Sequence, residues 1–130
     1  MGFIVKVFLD NHKDKMLGAF RILVGLLFMA HGSQKLFGGS FDATSLMGVG
    51  GLVEFVGGLL LAVGLFTRIT AFICSGQMFV AYFMFHAKDS LFSSPLANKG
   101  ELALLYAVTF LLLTFKGSGA WSVDNALGRR

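Results

Sequence analysis

Four long runs of apolar residues dominate this 130-residue chain. The runs cover about residues 16–37, 46–66, 69–87 and 101–115, and a helix needs about 20 apolar residues to cross a bilayer. A soluble domain has about a quarter of its residues charged, whereas only 14% are charged here and 55% are apolar. The sequence therefore predicts an all-α membrane protein, a bundle of four transmembrane helices with no separate soluble domain.

The charged residues predict how the bundle is oriented. Eight of the 11 lysines and arginines lie in or beside the terminal segments and the connection between the second and third runs, and three lie on the other side, namely Lys35, Lys88 and Lys99. Cytoplasmic segments of membrane proteins carry the excess of lysine and arginine. We therefore expect both termini in the cytoplasm, with residues 1–15 as a cytoplasmic or interfacial segment and residues 117–130 as a cytoplasmic tail.

Several other classes of protein and site are disfavoured by the same sequence. The net charge of +4 comes from basic residues scattered singly at the ends of apolar runs, which is not the clustered pattern of a nucleic-acid-binding surface. Cys74 is the only cysteine, so the chain forms no internal disulfide or dithiol pair. The three histidines lack metal-ligand spacing, and the glycine pairs lie inside a predicted helix rather than in a phosphate-binding turn. We therefore expect no metal, nucleotide or nucleic acid.

Polar side chains inside the apolar runs are the candidates for function, because such residues are costly in a membrane. With a helical rise of 1.5 Å per residue, each run contributes one polar residue within about 5 Å of a common depth. These four residues are His31, Glu54, Gln77 and Tyr106. Lys35 and Glu101 lie about 10 Å outward of the middle, close to each other in level. The sequence therefore predicts a polar cluster in the outer half of the bundle.

Glu54 is the ionisable residue within the second run, and glycines surround it. Four glycines lie within about 60° of Glu54 around the helix and are predicted to let neighbouring helices pack closely: Gly50, Gly51, Gly57 and Gly58. A carboxylate in this position is either neutral, because burial disfavours its charge, or ionised beside a cation such as Lys35, His31 or Arg21. The cluster is therefore either a satisfied packing network or a site that handles protons or anchors a ligand.

The predicted site assigns a role to each of these side chains. Glu54, His31 and Lys35 are the candidate catalytic residues, since they can hold, take up or donate a proton. Five further polar residues are candidate ligand-binding residues: Arg21, Gln34, Gln77, Tyr106 and Glu101.

Four motifs occur in order along the chain. They are RILVGLLFMAHGSQKLFG from Arg21, EFVGGLLLAVGLFTR from Glu54, NKGELALLY from Asn98 and GSGAWSVD ending at Asp124. Together they resemble the DoxX family of small bacterial inner-membrane proteins, over about residues 21–124. The resemblance implies a four-helix membrane protein and points to these positions: Arg21, His31, Gly32, Lys35, Glu54, Gly57, Gly58, Arg68, Glu101 and Asp124.

The resemblance also implies a redox setting. Some family members look like subunits of redox systems, including the quinone-reducing thiosulfate oxidation complex and partners of thiol and superoxide defence. This chain lacks the extra domain and the paired cysteines of some redox relatives. Thiol-based or sulfur-oxidising activity of its own is therefore not expected.

The preferred hypothesis is an accessory subunit of a membrane redox system that binds a quinone or a similar apolar ligand. Lys35 or His31 would donate a hydrogen bond to the ligand and Glu54 would take or deliver a proton, while electrons would come from a redox partner. The alternative is a non-catalytic module that docks a peripheral oxidoreductase, with internal charges that only fix helix registry. A small proton-coupled transporter has less support, because the spans lack internal prolines and show no two-fold repeat. The glycine-rich face favours a homo-oligomer.

Overall fold

The computed structural model describes residues 1–38, 45–86 and 100–129. Within these residues the chain is helical and contains no strand. The elements are α1 (Gly2–Phe37), α2 (Leu46–Val63), α3 (Thr67–Ala81), a π-helical turn (Tyr82–His86), α4 (Glu101–Lys116) and α5 (Val123–Ala126). The all-helical class predicted from the sequence is confirmed. Residues 39–44 and 87–99 lie outside the described part, and with them Lys88, Lys99 and the end of the third predicted run.

The first helix, α1, is continuous over 36 residues, although the sequence divides it into a segment over residues 1–15 and a span from residue 16. The polar stretch over residues 10–15 contains no glycine or proline. An ion pair between Lys6 and Asp10, one turn apart, has an N···O distance of 3.1 Å and supports the helix. Of the described helices, α1 alone is long and apolar enough to cross a membrane by itself, and α2 includes a shorter apolar helix, Gly48–Val63.

The second helix, α2, ends at a glycine, three residues before the end of the second predicted run. Gly64 takes a left-handed backbone conformation (φ 75°), which glycine adopts without steric cost. The amides of Gly64 and Leu65 donate to the carbonyl of Leu60 at 2.8 and 3.0 Å, which closes the helix end. Phe66 is also left-handed (φ 52°), and α3 follows directly. The chain therefore reverses just before residues 67–68, the predicted connection between the second and third runs.

Neighbouring long helices run in opposite directions. Gly25 of α1 faces Gly58 of α2, and their backbones approach closely. The Ser75 hydroxyl of α3 donates to the carbonyl of Ala107 on α4 at 2.7 Å. The bundle thus has two ends, which we name by their residues. The Arg21 end holds the α2–α3 turn and the last residues of α4, and the Lys35 end holds the last residues of α1 and the first of α2.

Apolar side chains occupy both the interior and the outside of the bundle. The interior cluster consists of Phe28, Leu61, Ala71, Cys74, Met78, Ala107, Phe110 and Leu113. Many outward-facing apolar side chains remain exposed, among them Leu23, Ile69 and Leu105. An exposed apolar surface of this extent is unfavourable in water and favourable in lipid.

Candidate functional site

An ion pair between Lys35 and Glu54 forms the centre of the candidate site. Glu54 is 3% exposed, and its Oε2 atom accepts a hydrogen bond from the Lys35 Nζ atom. The Lys35 side chain is 31% exposed, so it joins the buried carboxylate to the bundle surface. A buried carboxylate without a partner is very unfavourable, and the Lys35 side chain supplies that partner. Of the three cations considered as partners of Glu54, Lys35 is the one that forms the ion pair.

Two glycines bring Lys35 within reach of Glu54. Gly32 of α1 and Gly51 of α2 face each other at this level, and a Cβ atom at Gly32 would lie 2.8 Å from the Gly51 carbonyl oxygen. A Cβ atom at Gly51 would lie 2.9 Å from the Lys35 Cβ atom. Because neither glycine carries a side chain, the two backbones approach closely enough for a cross-helix ion pair.

Gln77 of α3 completes the polar group from a third helix. A Cβ atom at Gly50 would lie 3.4 Å from the Gln77 Nε2 atom and 3.8 Å from the Glu54 Oε2 atom, so the amide and the carboxylate both lie near Gly50. The Gln77 Oε1 atom is buried and has no hydrogen-bond partner among the described residues. Buried polar atoms are nearly always hydrogen-bonded. Among the described residues, the Gln77 Oε1 atom therefore lacks the donor that a buried oxygen normally has.

Aromatic rings border this level of the bundle. The rings of His31 and Tyr106 meet edge to face with centroids 5.7 Å apart. Tyr106 also packs beside Phe28 at 5.2 Å and on Phe110 at 5.6 Å. His31 and Tyr106, two of the predicted site residues, are therefore in contact, within a mainly apolar group of side chains.

The remaining predicted ligand-binding residues are exposed or lie at another level of the bundle. Gln34 and Glu101 are exposed. Arg21 precedes Lys35 by 14 residues on α1, which corresponds to about 21 Å along the helix. The structure therefore brings together Lys35, Glu54 and Gln77, and it does not bring Arg21 to them.

Arg21 instead fastens the C-terminal segment to the bundle. It is fully buried, and its guanidinium donates to the carbonyl oxygens of Leu61 and Ala62 on α2, at 2.8 and 3.4 Å. The same group donates to the carbonyls of Ser118, Ala120 (3.0 Å) and Trp121 (2.7 Å). A guanidinium has five N–H donors in a fixed plane, and backbone carbonyl oxygens accept from it on both sides.

Asp124 makes the second attachment of this segment. Its carboxylate accepts from the backbone amides of Phe66 (2.9 Å) and Thr67 (2.8 Å), at the start of α3, and from Arg129 Nε at 3.2 Å. Burial disfavours the charged carboxylate, but these hydrogen bonds outweigh burial and hold the pKa of Asp124 below its usual range. We call Arg21, Asp124 and the segment Ser118–Trp121 the tail clamp.

Sequence reasoning missed the carbonyl groups of the tail clamp, because any residue type can supply a carbonyl oxygen. The only local signal is the motif GSGAWSVD. Within it, Gly119 (φ 70°) and Trp121 (φ 58°) have left-handed backbones, and these turn the carbonyls toward Arg21.

Comparison with known proteins identifies the family. A family model described as DoxX matches residues 16–87, a stretch that contains His31, Lys35, Glu54 and Gln77. The chain belongs to the DoxX family. This DoxX protein is similar to an uncharacterized protein of Haemophilus influenzae, with 41% identity over 90% of this chain and 94% of the relative. No solved structure matches the chain.

Two further DoxX relatives carry membrane names. The inner membrane protein YqjF of Escherichia coli is 34% identical over 85% of this chain and 90% of its own length. An uncharacterized membrane protein of Mycobacterium tuberculosis is 31% identical over 85% of this chain and 80% of its own length. Together with the apolar helix α1, these relatives establish the chain as a DoxX protein of the bacterial inner membrane. The family and location predicted from the sequence are confirmed.

Proposed function

We propose that this DoxX protein is an accessory subunit of a membrane redox system and that the Lys35 end of its bundle binds a quinone or its quinol. The observation that carries the proposal is the buried Gln77 Oε1 atom, which has no hydrogen-bond partner in the described part of the chain. The Nε2 atom of the same side chain and the Glu54 Oε2 atom both lie near Gly50. A polar group of this kind inside an apolar bundle suits a ligand with an apolar body and one or two polar atoms.

The proposal includes four membrane spans with both termini in the cytoplasm. The alternating directions of α1 to α4 and the excess of lysine and arginine at the Arg21 end support this topology. Reporter fusions test it: a cytoplasm-active fluorescent protein joined after residue 130 should be bright. Alkaline phosphatase inserted between residues 39 and 44 should be active in the periplasm. A dark C-terminal fusion with an inactive insertion would contradict the topology.

The donors and acceptors of the site match both forms of the ligand. A quinone offers carbonyl oxygens, which can accept from Lys35 Nζ or Gln77 Nε2. A quinol offers hydroxyl groups, which can donate to Gln77 Oε1 or to the Glu54 carboxylate. The partly buried ring of Tyr106, which packs beside Phe28, supplies apolar surface at the same level. These residues would hold the ring through one polar edge and leave its body among apolar side chains.

The chain's own chemistry at this site is proton handling. Bound quinone would accept two electrons from a partner oxidoreductase and two protons, and become the quinol. Glu54 can hold one proton in place of its ion pair with Lys35. Because Lys35 is 31% exposed, it can exchange protons with solvent and pass them to the buried carboxylate. Lys35 and Glu54 together therefore form a short route for protons into the site.

The test is quinone content after purification in a mild detergent. Organic extracts of wild type, Glu54→Gln and Asp10→Asn are compared, the last being a control because Asp10 is an exposed carboxylate paired with Lys6. Wild type and control should retain quinone, and Glu54→Gln should retain at least about tenfold less, the loss expected for a charge-assisted hydrogen bond. Added quinone should also raise the melting temperature of wild type. Absence of quinone from all three proteins, together with no thermal protection, would overturn the proposal.

A docking module is the second candidate, and the tail clamp favours it. The clamp holds Trp121 on a defined backbone with 59% of its surface exposed, and exposed tryptophans are common anchors of protein interfaces. If docking is the main role, Trp121→Ala should abolish recovery of a peripheral partner in pull-downs while Glu54→Gln leaves it intact. The opposite result would exclude the docking role. Proton flux in liposomes that is lost in Glu54→Gln would instead indicate a proton-coupled transporter.

A further inference from the structure

A groove of about 460 Å³ lies between α1 and α4 at the Arg21 end. Its floor is apolar, with Leu17 and Phe20 from α1 and Leu112 from α4. Two lysines stand at its outer edge, Lys13 on α1 and Lys116 at the end of α4. None of the groove's lining residues belongs to the Lys35–Glu54 pair, and the groove adjoins the tail clamp, where the Ala120 amide donates to the Asp14 carbonyl oxygen at 3.0 Å.

The two helices present the same order of side chains to the groove. Leu17 follows Lys13 by one helical turn, and Leu112 precedes Lys116 by one turn, so each lysine has an apolar residue about 6 Å further into the bundle. Lysine side chains extend along apolar surface and keep the ammonium at the water boundary. The groove is therefore polar and positive at the water boundary and apolar toward the membrane interior.

The charges of the groove favour an anionic occupant. Asp14 also lines it, so the two lysines leave a net charge of +1 among the ionisable residues of the lining. An anionic phospholipid has the complementary arrangement, a negatively charged phosphate joined to apolar chains. Basic pockets between transmembrane helices on the cytoplasmic side are sites of this kind, and this protein lies in a bacterial inner membrane.

We propose that this groove binds an anionic phospholipid of the inner membrane. Its phosphate contacts Lys13 and Lys116, and one acyl chain lies along Leu17, Phe20 and Leu112. The lipid joins the first and last long helices of the bundle at the Arg21 end. This inference rests on the four-span topology proposed above, but it does not depend on the quinone site.

The test measures thermal unfolding of the purified protein in detergent with added phosphatidylglycerol or phosphatidylcholine. Phosphatidylglycerol should raise the melting temperature of wild type, and phosphatidylcholine should raise it less. In Lys13→Gln/Lys116→Gln the phosphatidylglycerol concentration for half of the effect should rise about thirtyfold, the equivalent of about 1 kcal/mol for each lysine. High salt should also weaken the stabilisation of wild type by phosphatidylglycerol, because salt screens the two lysines.

Two control variants make the result specific to the groove. Lys6→Gln removes a lysine that lies about two turns further out on α1 and is 76% exposed, and it should behave as wild type. Lys13→Arg/Lys116→Arg keeps both charges and should retain most of the effect. Quinone retention should be unchanged in Lys13→Gln/Lys116→Gln, so that failure of the lipid site and failure of the quinone site are distinguishable.

Several outcomes would overturn the lipid site. These are equal stabilisation by the two lipids, an unchanged response in the double glutamine variant, or an equal effect of inorganic phosphate, which would indicate a phosphate site without a lipid. If the double variant does not fold, native mass spectrometry of wild type decides. Retention of phosphatidylglycerol in excess of its share of the membrane supports the site, and retention in proportion to that share refutes it.

Discussion

Gly58→Ala should cost far more stability than Gly76→Ala. A Cβ atom at Gly58 would lie 2.5 Å from the Met29 nitrogen and 2.6 Å from the Gly25 carbonyl oxygen, both of them backbone atoms of α1. At Gly76, an exposed residue of α3, a Cβ atom would meet no atom within 4 Å. Ordinary contacts between non-bonded carbon atoms are about 3.5 Å or longer. The first substitution must therefore move α1 and α2 apart by about 1 Å, and the second requires no movement.

The expected difference between the two variants is about 3 kcal/mol. Overpacking costs about 1–3 kcal/mol, and the upper part of this range applies at Gly58 because backbone atoms cannot rotate away. Replacing a helical glycine by alanine where there is space gains about 0.5–1 kcal/mol. Since 1 kcal/mol shifts the melting temperature of a chain of this size by about 3–6 °C, Gly58→Ala should melt about 10 °C or more below Gly76→Ala.

The assay is thermal unfolding of wild type and both variants in one detergent, followed by circular dichroism at a single heating rate. A fixed rate matters because unfolding in detergent can be irreversible, and the midpoint then depends on the rate. Equal melting temperatures for the two variants would refute the close approach of α1 and α2 at Gly58. A melting temperature of Gly76→Ala far below that of wild type would refute the open position of Gly76.

The other expectations concern the Arg21 end and the buried thiol. Arg21→Gln should cost about 3 kcal/mol or more, because buried carbonyls lose charged donors, and it should expose residues 117–129 to a protease. The control Arg68→Gln should lower the free energy of unfolding by less than about 1 kcal/mol, because Arg68 is exposed. Equal protease cleavage of Arg21→Gln and Arg68→Gln would contradict the tail clamp. The pKa of Asp124 is lowered, so its stabilisation is complete above about pH 4 and is lost as the pH falls through the lowered pKa. Chemical denaturation should show that Asp124→Asn lowers the free energy of unfolding by about 2 kcal/mol at pH 7 and by less at pH 3. A loss of the same size at both pH values would contradict this prediction. Cys74, 1% exposed, should react with a maleimide only after unfolding, and fast labelling of the folded protein would contradict its burial.

The helical class and the membrane setting could be predicted because apolar runs reflect contact with lipid residue by residue. The ends of helices depend on finer signals. The sequence extends the second run to Phe66, since hydropathy does not register a left-handed glycine, whereas Gly64 ends α2. Hydropathy separates the polar stretch after Asp10 from the first span, yet this stretch contains no residue that breaks a helix.

The partner of Glu54 could not be derived from helical phase. Arg21, His31 and Lys35 share one face of α1, and all three remain candidates when α1 is considered alone. Their distances from Glu54 are set by the register of α1 on α2, which depends on the contact of Gly32 with Gly51. That register is a property of packing between helices, and the periodicity of one helix carries no information about it.

The tail clamp could not be predicted from the sequence for a similar reason. The hydrogen bond from Arg21 to the Trp121 carbonyl joins residues separated by 100 positions. An arginine within an apolar run indicates only that some partner exists. The sequence treats Arg21 as a ligand-binding candidate in the absence of any visible acceptor, and the structure provides acceptors from the backbone.

The central claim is that Gln77 and the Lys35–Glu54 pair bind a quinone or quinol, and the most direct test uses Gln77→Leu. Leucine is similar in size to glutamine and removes the buried Oε1 atom that has no hydrogen-bond partner in the described residues, while the ion pair stays in place. We predict that the variant is at least as stable as wild type and retains about two- to tenfold less quinone per mole of protein, the loss expected for one neutral hydrogen bond to the ligand. Equal quinone content in wild type and Gln77→Leu, or none in either, would contradict the account.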